Sequence, residues 1–306
     1  GEEERFLTLA EYEERRRPFA GAGNLSASEV LVLVMASGSL GERAELIEEA
    51  WAGSAVRRLF LVDEWIREVP RERQWQAGGA GRRAKEGQGA DGAGYWDAQS
   101  RQLEFMREHP RLAEAAGGAK WVILADDDTW VYVDALLAFA AGHDPAVPAL
   151  FSYVLSDAHV LGYDYPCGGA GMLLSAGAYE LLAPRLLTPA CPLLSFNDLT
   201  LGYCAHAHGV PLVHHPNMHC SPDVNRAMRS GENLLDLQRG ISVHRLPAFR
   251  SFPELIASIG AMQGQLGALL EHRCGLAARV LPRALDSRRF FWTSDALPGA
   301  VAACRA

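Results

Sequence analysis

Trp121-Val122-Ile123-Leu124-Ala125-Asp126-Asp127-Asp128 is an apolar run that ends in three consecutive carboxylates, and Thr129-Trp130-Val131-Tyr132-Val133 follows it. An uninterrupted apolar run of this length predicts a buried strand. The aspartates therefore emerge together at its carboxyl end, where open α/β sheets place their ligands. Three adjacent negative charges repel one another unless a cation sits among them. Hard oxygen ligands that leave room for substrate phosphates suit Mg²⁺ or Mn²⁺, so one reading of the triplet is a metal bridging the protein to a nucleotide diphosphate. The other is a solvated acidic turn that caps the next helix, and the triplet alone does not separate the two.

Upstream, Val30-Leu31-Val32-Leu33-Val34-Met35 is a second buried run, and Ala36-Ser37-Gly38-Ser39 turns it into a helix expected from Glu42 to Trp51. Leu59-Phe60-Leu61-Val62 then ends in Asp63. Strand, helix and strand with short connections open a right-handed parallel βαβ unit, which makes the chain α/β. Residues 1–28 read as a charged arm with a peripheral helix around Leu9 to Arg17. Residues 66–94, low in complexity and with little beyond Trp75 to pack, read as a flexible insertion. Further elements are expected as a helix from Trp96 to His109, a helix from Tyr132 to Ala141 and a strand from Leu150 to Val154. A glycine loop enters the strand Met172 to Ser175, and a helix from Asp198 to His208 precedes a short strand at Leu212-Val213. Residues 260–306 read as a C-terminal helical extension.

A length of 306 residues accommodates one large α/β domain. With 49% hydrophobic and 22% charged residues the composition is that of a globular protein, and a net charge of −8 argues against nucleic-acid binding through a broad basic surface. No stretch approaches the ~18 apolar residues of a membrane helix, so no membrane contact is visible in the sequence, which starts at Gly1 rather than Met in the manner of a fragment or processed form. Six cysteines without a Cys-x-x-Cys pair argue against structural zinc.

Gly168, Gly169 and Gly171, with Ala170 between them, permit close backbone approach by a substrate but match neither the dinucleotide fingerprint nor the P-loop; taken alone, such a loop is more often a tight turn than a site. Asp198 falls in the first turn of its helix, where the dipole favours an acid. Five histidines crowd between His206 and His219, and His219 is expected in a loop after a strand, where a ligand or general base could reach a cleft, although a surface histidine is the commoner fate of such a residue. Cys191 and Cys204 bracket Asp198.

These pieces occur in the same order in glycosyltransferase family 31, in its fringe-like and core 1 β1,3-galactosyltransferase-like members. The resemblance is carried by Trp121 to Val133, the Gly168 to Gly171 loop, Cys191-Pro192-Leu193-Leu194-Ser195-Phe196-Asn197-Asp198-Leu199-Thr200-Leu201-Gly202-Tyr203-Cys204, and Gly209-Val210-Pro211-Leu212 through Met218-His219. Ile241-Ser242-Val243-His244 and Phe252-Pro253 resemble plant fringe-related proteins of unassigned function. The resemblance implies a GT-A fold over residues 29–259, a Rossmann-like mixed sheet flanked by helices. It implies inverting transfer of a hexose or N-acetylhexosamine from a UDP-sugar, β1,3-linked by family habit, to a glycan or glycoprotein acceptor in the secretory pathway, with the Golgi lumen as the expected site. Mn²⁺ or Mg²⁺ would be held by Asp126, Asp128 and His219, and Asp198 would be the general base. Ala36, Ser37, Arg43, Asp63, Asp126 and Asp127 would hold the donor, and Gly168 to Gly171 would line the substrate. An oxidising lumen also implies a Cys191–Cys204 disulfide. Asn197 departs from the pattern, since many relatives carry a second acid there. A non-catalytic lectin-like or chaperone-like relative and a metal-dependent phosphohydrolase are the competing classes; the joint presence of metal ligands and base argues against the first, and the small number of ligands against the second.

Overall fold

The computed structural model describes residues 6–15, 25–37, 41–51, 54–76, 90–156, 162–220 and 240–244. The C-terminal extension, residues 77–89 of the insertion and the Phe252-Pro253 pair lie outside the described residues.

Strands β1 (Leu7–Thr8), β2 (Val30–Met35), β3 (Arg57–Val62), β4 (Gln74–Gln76), β5 (Trp121–Asp126), β7 (Leu150–Ser152), β10 (Met172–Ser175) and β11 (Leu212–His214) form one sheet in the order β1-β11-β7-β10-β5-β2-β3-β4. β10 runs antiparallel to both its neighbours, and the remaining pairings on either side of it are parallel. A mixed α/β sheet flanked by helices is thus present, as expected. Side chains alternate across it with the two-residue strand period. Val30, Val32, Val34, Phe60, Ile123 and Phe151 face one core with Tyr12, Ile47 and Leu136. Leu31, Leu33, Leu61, Val122, Leu124 and Leu174 face the other with Leu103, Met106, Tyr179 and Leu201. Helices α1 (Leu9–Arg15), α2 (Gly41–Ala50) and α5 (Val133–Ala141) therefore cover the first face. Helices α3 (Ala90–Glu108), α4 (Leu112–Ala115), α6 (Ala176–Leu182) and α7 (Asn197–Ala207) cover the second.

A three-stranded sheet, β12 (Met218–His219), β13 (Ser242–Val243) and β6 (Trp130–Val131), lies beyond the end of β5, and β8 (Val154–Leu155) pairs with β9 (Tyr165–Pro166).

Two boundaries are corrected. The N-terminal arm is tied into the fold, because Leu7 and Thr8 pair with Val213 and His214 as the edge of the main sheet and Tyr12 of α1 is buried. The first part of the insertion is structured as well. Gln74 is buried and folds residues 66–74 onto itself, its Nε2 donating to the Ile66 and Val69 carbonyls (2.8 and 2.7 Å) and its Oε1 accepting the Ile66 amide (2.8 Å). The backbone so placed pairs with β3 as the opposite edge strand.

Candidate active site

Strands β2, β3 and β5 end side by side, with Met35 in register with both Asp126 and Leu61. What lies just beyond these three ends therefore shares one crevice. Ser37 Oγ donates to Asp63 Oδ2 (3.2 Å), and the half-buried Arg43 of α2 pairs with Asp127 (2.9 Å). The structure thus brings Ala36, Ser37, Asp63, Arg43 and the aspartate triplet together. Sequence reasoning missed Arg101, a buried residue of α3 whose guanidinium donates to the carbonyls of Ala36 and Leu61 and pairs with Asp63 (3.1 Å). One cation thereby joins the ends of β2 and β3.

The triplet turns back on itself. Thr129 donates its amide to the Asp126 carbonyl (3.1 Å), returns its hydroxyl oxygen to the Asp126 amide (3.2 Å), and donates that hydroxyl to the Gly169 carbonyl (2.8 Å). Burial pushes the Asp126 carboxyl up to about 7, and repulsion from Asp128 adds to it. Burial also raises Asp127, although Arg43 opposes this. Asp128 ends below the usual carboxylate range: burial raises it, but the His244 imidazole more than offsets that.

One ligand atom each from Asp126, Asp128 and His244 lies within 4.8 Å of the others, the only set of three or more such residues among those described. His219 does not join it. His219 and Val243 pair in register on β12 and β13 and share a face, and Val243 is packed in the core. His244, one residue on, points the opposite way, toward the aspartates. Its Nδ1 donates to the Cys220 carbonyl (2.7 Å), which leaves Nε2, 3.3 Å from Asp128 Oδ1, as the atom facing the cluster. Burial lowers the basicity of this ring, but Asp128 more than offsets it and the net shift is upward. The Ile241 to His244 motif reaches the cluster because β12 and β13 set His244 one residue beyond the His219–Val243 pair.

The donor set fits a cation. Two carboxylates and an imidazole converge, and the buried repulsion between Asp126 and Asp128 is what a divalent ion relieves. An imidazole among the donors suits Mg²⁺ less well, since that ion prefers oxygen.

The glycine loop between β9 and β10 stands between this cluster and Asp198. A Cβ on Gly169 would fall within 3.0 Å of three His244 ring atoms, so the ring occupies the space that glycine leaves. A Cβ on Gly168 would meet Asp198 Oδ2 at 3.3 Å. The Gly168 amide donates to that oxygen (3.1 Å), and the Leu199 amide donates to Asp198 Oδ1 (2.7 Å). Gly171, at φ 83°, has the left-handed backbone that lets the chain enter β10. The loop is also anchored by the Ser152 hydroxyl on the Gly171 carbonyl (2.8 Å), by Ser242 on the Ala170 carbonyl and by a Cys167–Cys220 disulfide. That bond, absent from the sequence reading, ties the loop to the strand end beside His244. The Cys191–Cys204 disulfide is present as expected, with Cα atoms 5.4 Å apart.

Asp198 has a structural duty. Phe196 caps α7 without a side-chain hydrogen bond, so the first amides of the helix go to Gln99, Asn197 and Asp198 side chains instead. It also has chemical capacity, because burial outweighs the backbone amides of Gly168, Leu199 and Asp198 itself and leaves its basicity above that of an ordinary carboxylate. Tyr163 lies close by, its phenol pushed up by burial and then by the Asp198 charge.

A family model described as Fringe-like matches residues 40–248, and the chain belongs to that family. A β-1,3-glucosyltransferase of Mus musculus is 32% identical over 106 residues, 32% of this chain and 20% of that protein. The Homo sapiens β-1,3-glucosyltransferase is 30% identical over 132 residues, 41% of this chain and 24% of that protein. The matched part thus spans about a fifth to a quarter of the length of these relatives. Two solved structures overlap most of the chain more loosely. A glycosyltransferase involved in glycosylation of the major capsid of PBCV-1 has a TM-score of 0.39 at 12% identity, over 74% of this chain and 98% of its own. Galactosyltransferase LgtC with donor and acceptor sugar analogs has a TM-score of 0.40 at 13% identity, over 75% and 95%.

Proposed function

We propose that this protein is an inverting, metal-dependent glycosyltransferase that moves a hexose or N-acetylhexosamine from a UDP-sugar to a glycan or glycoprotein acceptor, in β1,3 linkage, within the secretory pathway. The observation that carries the reading is the pairing, across one glycine loop, of the Asp126, Asp128 and His244 cluster with the buried carboxylate of Asp198. A binding module has no use for both. The printed activity of the β-1,3-glucosyltransferase relatives supports this reaction class and linkage, and the two disulfides accord with an oxidising lumen.

In this reading Asp126, Asp128 and His244 Nε2 would hold Mn²⁺, which would supply positive charge beside the departing diphosphate. Ser37 and Asp63 face the uridine, Arg101 keeps Asp63 in place, and Arg43 is shared between Asp127 and the diphosphate. Gly168 and Gly169 make room for the Asp198 carboxylate and the His244 ring, so the loop brings base and metal ligand close to one another. Asp198 removes the proton from the acceptor hydroxyl as that oxygen attacks the anomeric carbon from the side opposite UDP, which inverts the centre. The raised basicity of Asp198 serves that step and its two amide bonds fix its direction. A panel of UDP-sugars, assayed for transfer with Mn²⁺ and with EDTA, tests the proposal. One donor is expected to turn over with Mn²⁺ alone; turnover unaffected by EDTA, or none with any donor, would defeat it.

A further inference from the structure

Helix α3 carries a buried polar stretch, Gln99, Ser100, Arg101, Gln102 and Glu104, within a helix that also supplies Leu103, Phe105 and Met106 to the core. Ser100 and Glu104 bond to each other (2.7 Å), and Arg101 serves the strand ends already described. Gln102, fully buried, does something different. Its Nε2 donates to the carbonyls of Ala125 (3.1 Å) and Leu33 (3.4 Å), and its Oε1 accepts from Asn197 Nδ2 (2.6 Å). Asn197 Oδ1 in turn accepts the amide of Asp198 (2.8 Å). Chemistry fixes both side-chain amides: the Asp198 N–H needs an oxygen, so Asn197 presents its NH₂ to Gln102. The two strand carbonyls need a donor, so Gln102 presents its oxygen to Asn197.

We propose that Gln102 is a positioning residue that, through Asn197, sets the distance between Asp198 and the Ala125–Asp126 end of the metal-bearing strand. The inference rests on the transferase reading of Asp198. Base and metal act on opposite sides of the anomeric carbon, so their separation must match the donor and acceptor, and a displacement of about 1 Å costs on the order of 10²-fold in rate. Gln99, one turn earlier, accepts the Asn197 amide (3.3 Å), so the same helix grips the start of α7 twice.

The arrangement also explains an amide at position 197. A carboxylate there would turn an oxygen toward Gln102 Oε1, and flipping Gln102 would aim its oxygen at two carbonyls in a buried site. A lysine ammonium has three donors and can serve the Asn197→Asp carboxylate and both carbonyls together.

The test compares kcat, donor KM and Mn²⁺–UDP affinity in Gln102→Leu, Asn197→Asp, Gln102→Lys and the double variant Asn197→Asp with Gln102→Lys. Each single variant is expected to lose about tenfold or more in kcat with UDP affinity within about twofold of wild type, and the double variant to run about fivefold faster than either parent. Wild-type kcat in Gln102→Leu overturns the proposal; if that variant does not fold, a double variant no faster than Asn197→Asp does so. Should the wild-type protein bind Mn²⁺–UDP but transfer nothing, the transferase reading fails, and hydrogen exchange at the Asp198 amide decides the positioning claim. Faster exchange in Gln102→Leu supports it and unchanged exchange overturns it.

Discussion

Gly169→Ala adds one methyl group and is expected to disable metal binding while leaving the fold standing. The new Cβ would stand within 3.0 Å of three His244 ring atoms, whereas ordinary contact is 3.4–4 Å, so the imidazole has to retreat. Gly169 does not need its own backbone freedom, since its φ lies outside the positive range, and the cost therefore falls on the ring. Retreat breaks the 2.7 Å bond from Nδ1 to Cys220 and carries Nε2 away from Asp128. The lost hydrogen bond is worth about 1 kcal/mol of stability. A ligand whose orientation is lost costs about 10- to 100-fold in metal affinity, or roughly 1.4–2.7 kcal/mol. Calorimetric titration of UDP in the presence of Mn²⁺, beside a thermal melt in EDTA, separates the two effects. Gly168→Ala is the control, because its Cβ presses on Asp198 at 3.3 Å, just inside ordinary contact, and approaches none of Asp126, Asp128 and His244. Wild-type Mn²⁺–UDP affinity in Gly169→Ala would refute the assignment of His244.

Asp198→Asn keeps an oxygen for the Gly168 or Leu199 amide but cannot take a proton, so kcat should fall about 10²-fold or more while Mn²⁺–UDP affinity stays near wild type, as steady-state kinetics and calorimetry will show. Peptide mapping without reductant should recover Cys167 linked to Cys220 and Cys191 linked to Cys204; all four as free thiols from protein made in an oxidising compartment would contradict both bonds. His215 is buried with its pKa pushed down to about 4, chiefly by burial, and its Nδ1 accepts the Asn217 amide (3.1 Å), so the folded state prefers the neutral ring. The unfolded chain binds that proton first as pH falls, so stability is intact above about 6.5 and declines toward pH 4, by at most about 3 kcal/mol from this residue. Urea unfolding at pH 7.5 and 5 in EDTA should show a smaller difference in His215→Gln than in wild type.

The interior of the fold was legible because it obeys simple periods. β2 and β5 are continuous apolar runs buried on both faces, and the turn after β2 leads into a helix that returns to β3. The edges were not. β1 is two residues long and β4 three, too short for any periodicity, and each exists because a neighbour offers free backbone groups. Gln74 holds residues 66–74 by side-chain bonds to backbone, which a polar, low-complexity stretch does not advertise.

Much of the site followed the same rule. The carboxylates at the end of β5 and Asp198 at the start of α7 stand where strand and helix signals put them. His244 and the Cys167–Cys220 bond depend on contacts between distant segments, the cysteines being 53 residues apart. Arg101 and Gln102 escaped notice because a hydrophobic pattern treats polar residues as exposed, whereas these are buried and matched to strand carbonyls.

Crystals grown with Mn²⁺ and UDP, measured at the manganese absorption edge, test the central claim most directly. The account predicts one anomalous peak within bonding distance of His244 Nε2 and carboxylate oxygens of Asp126 and Asp128, with the diphosphate on its open side and Asp198 across the cleft. A peak held by His219 instead, or no manganese in the cluster while UDP is bound, would contradict it.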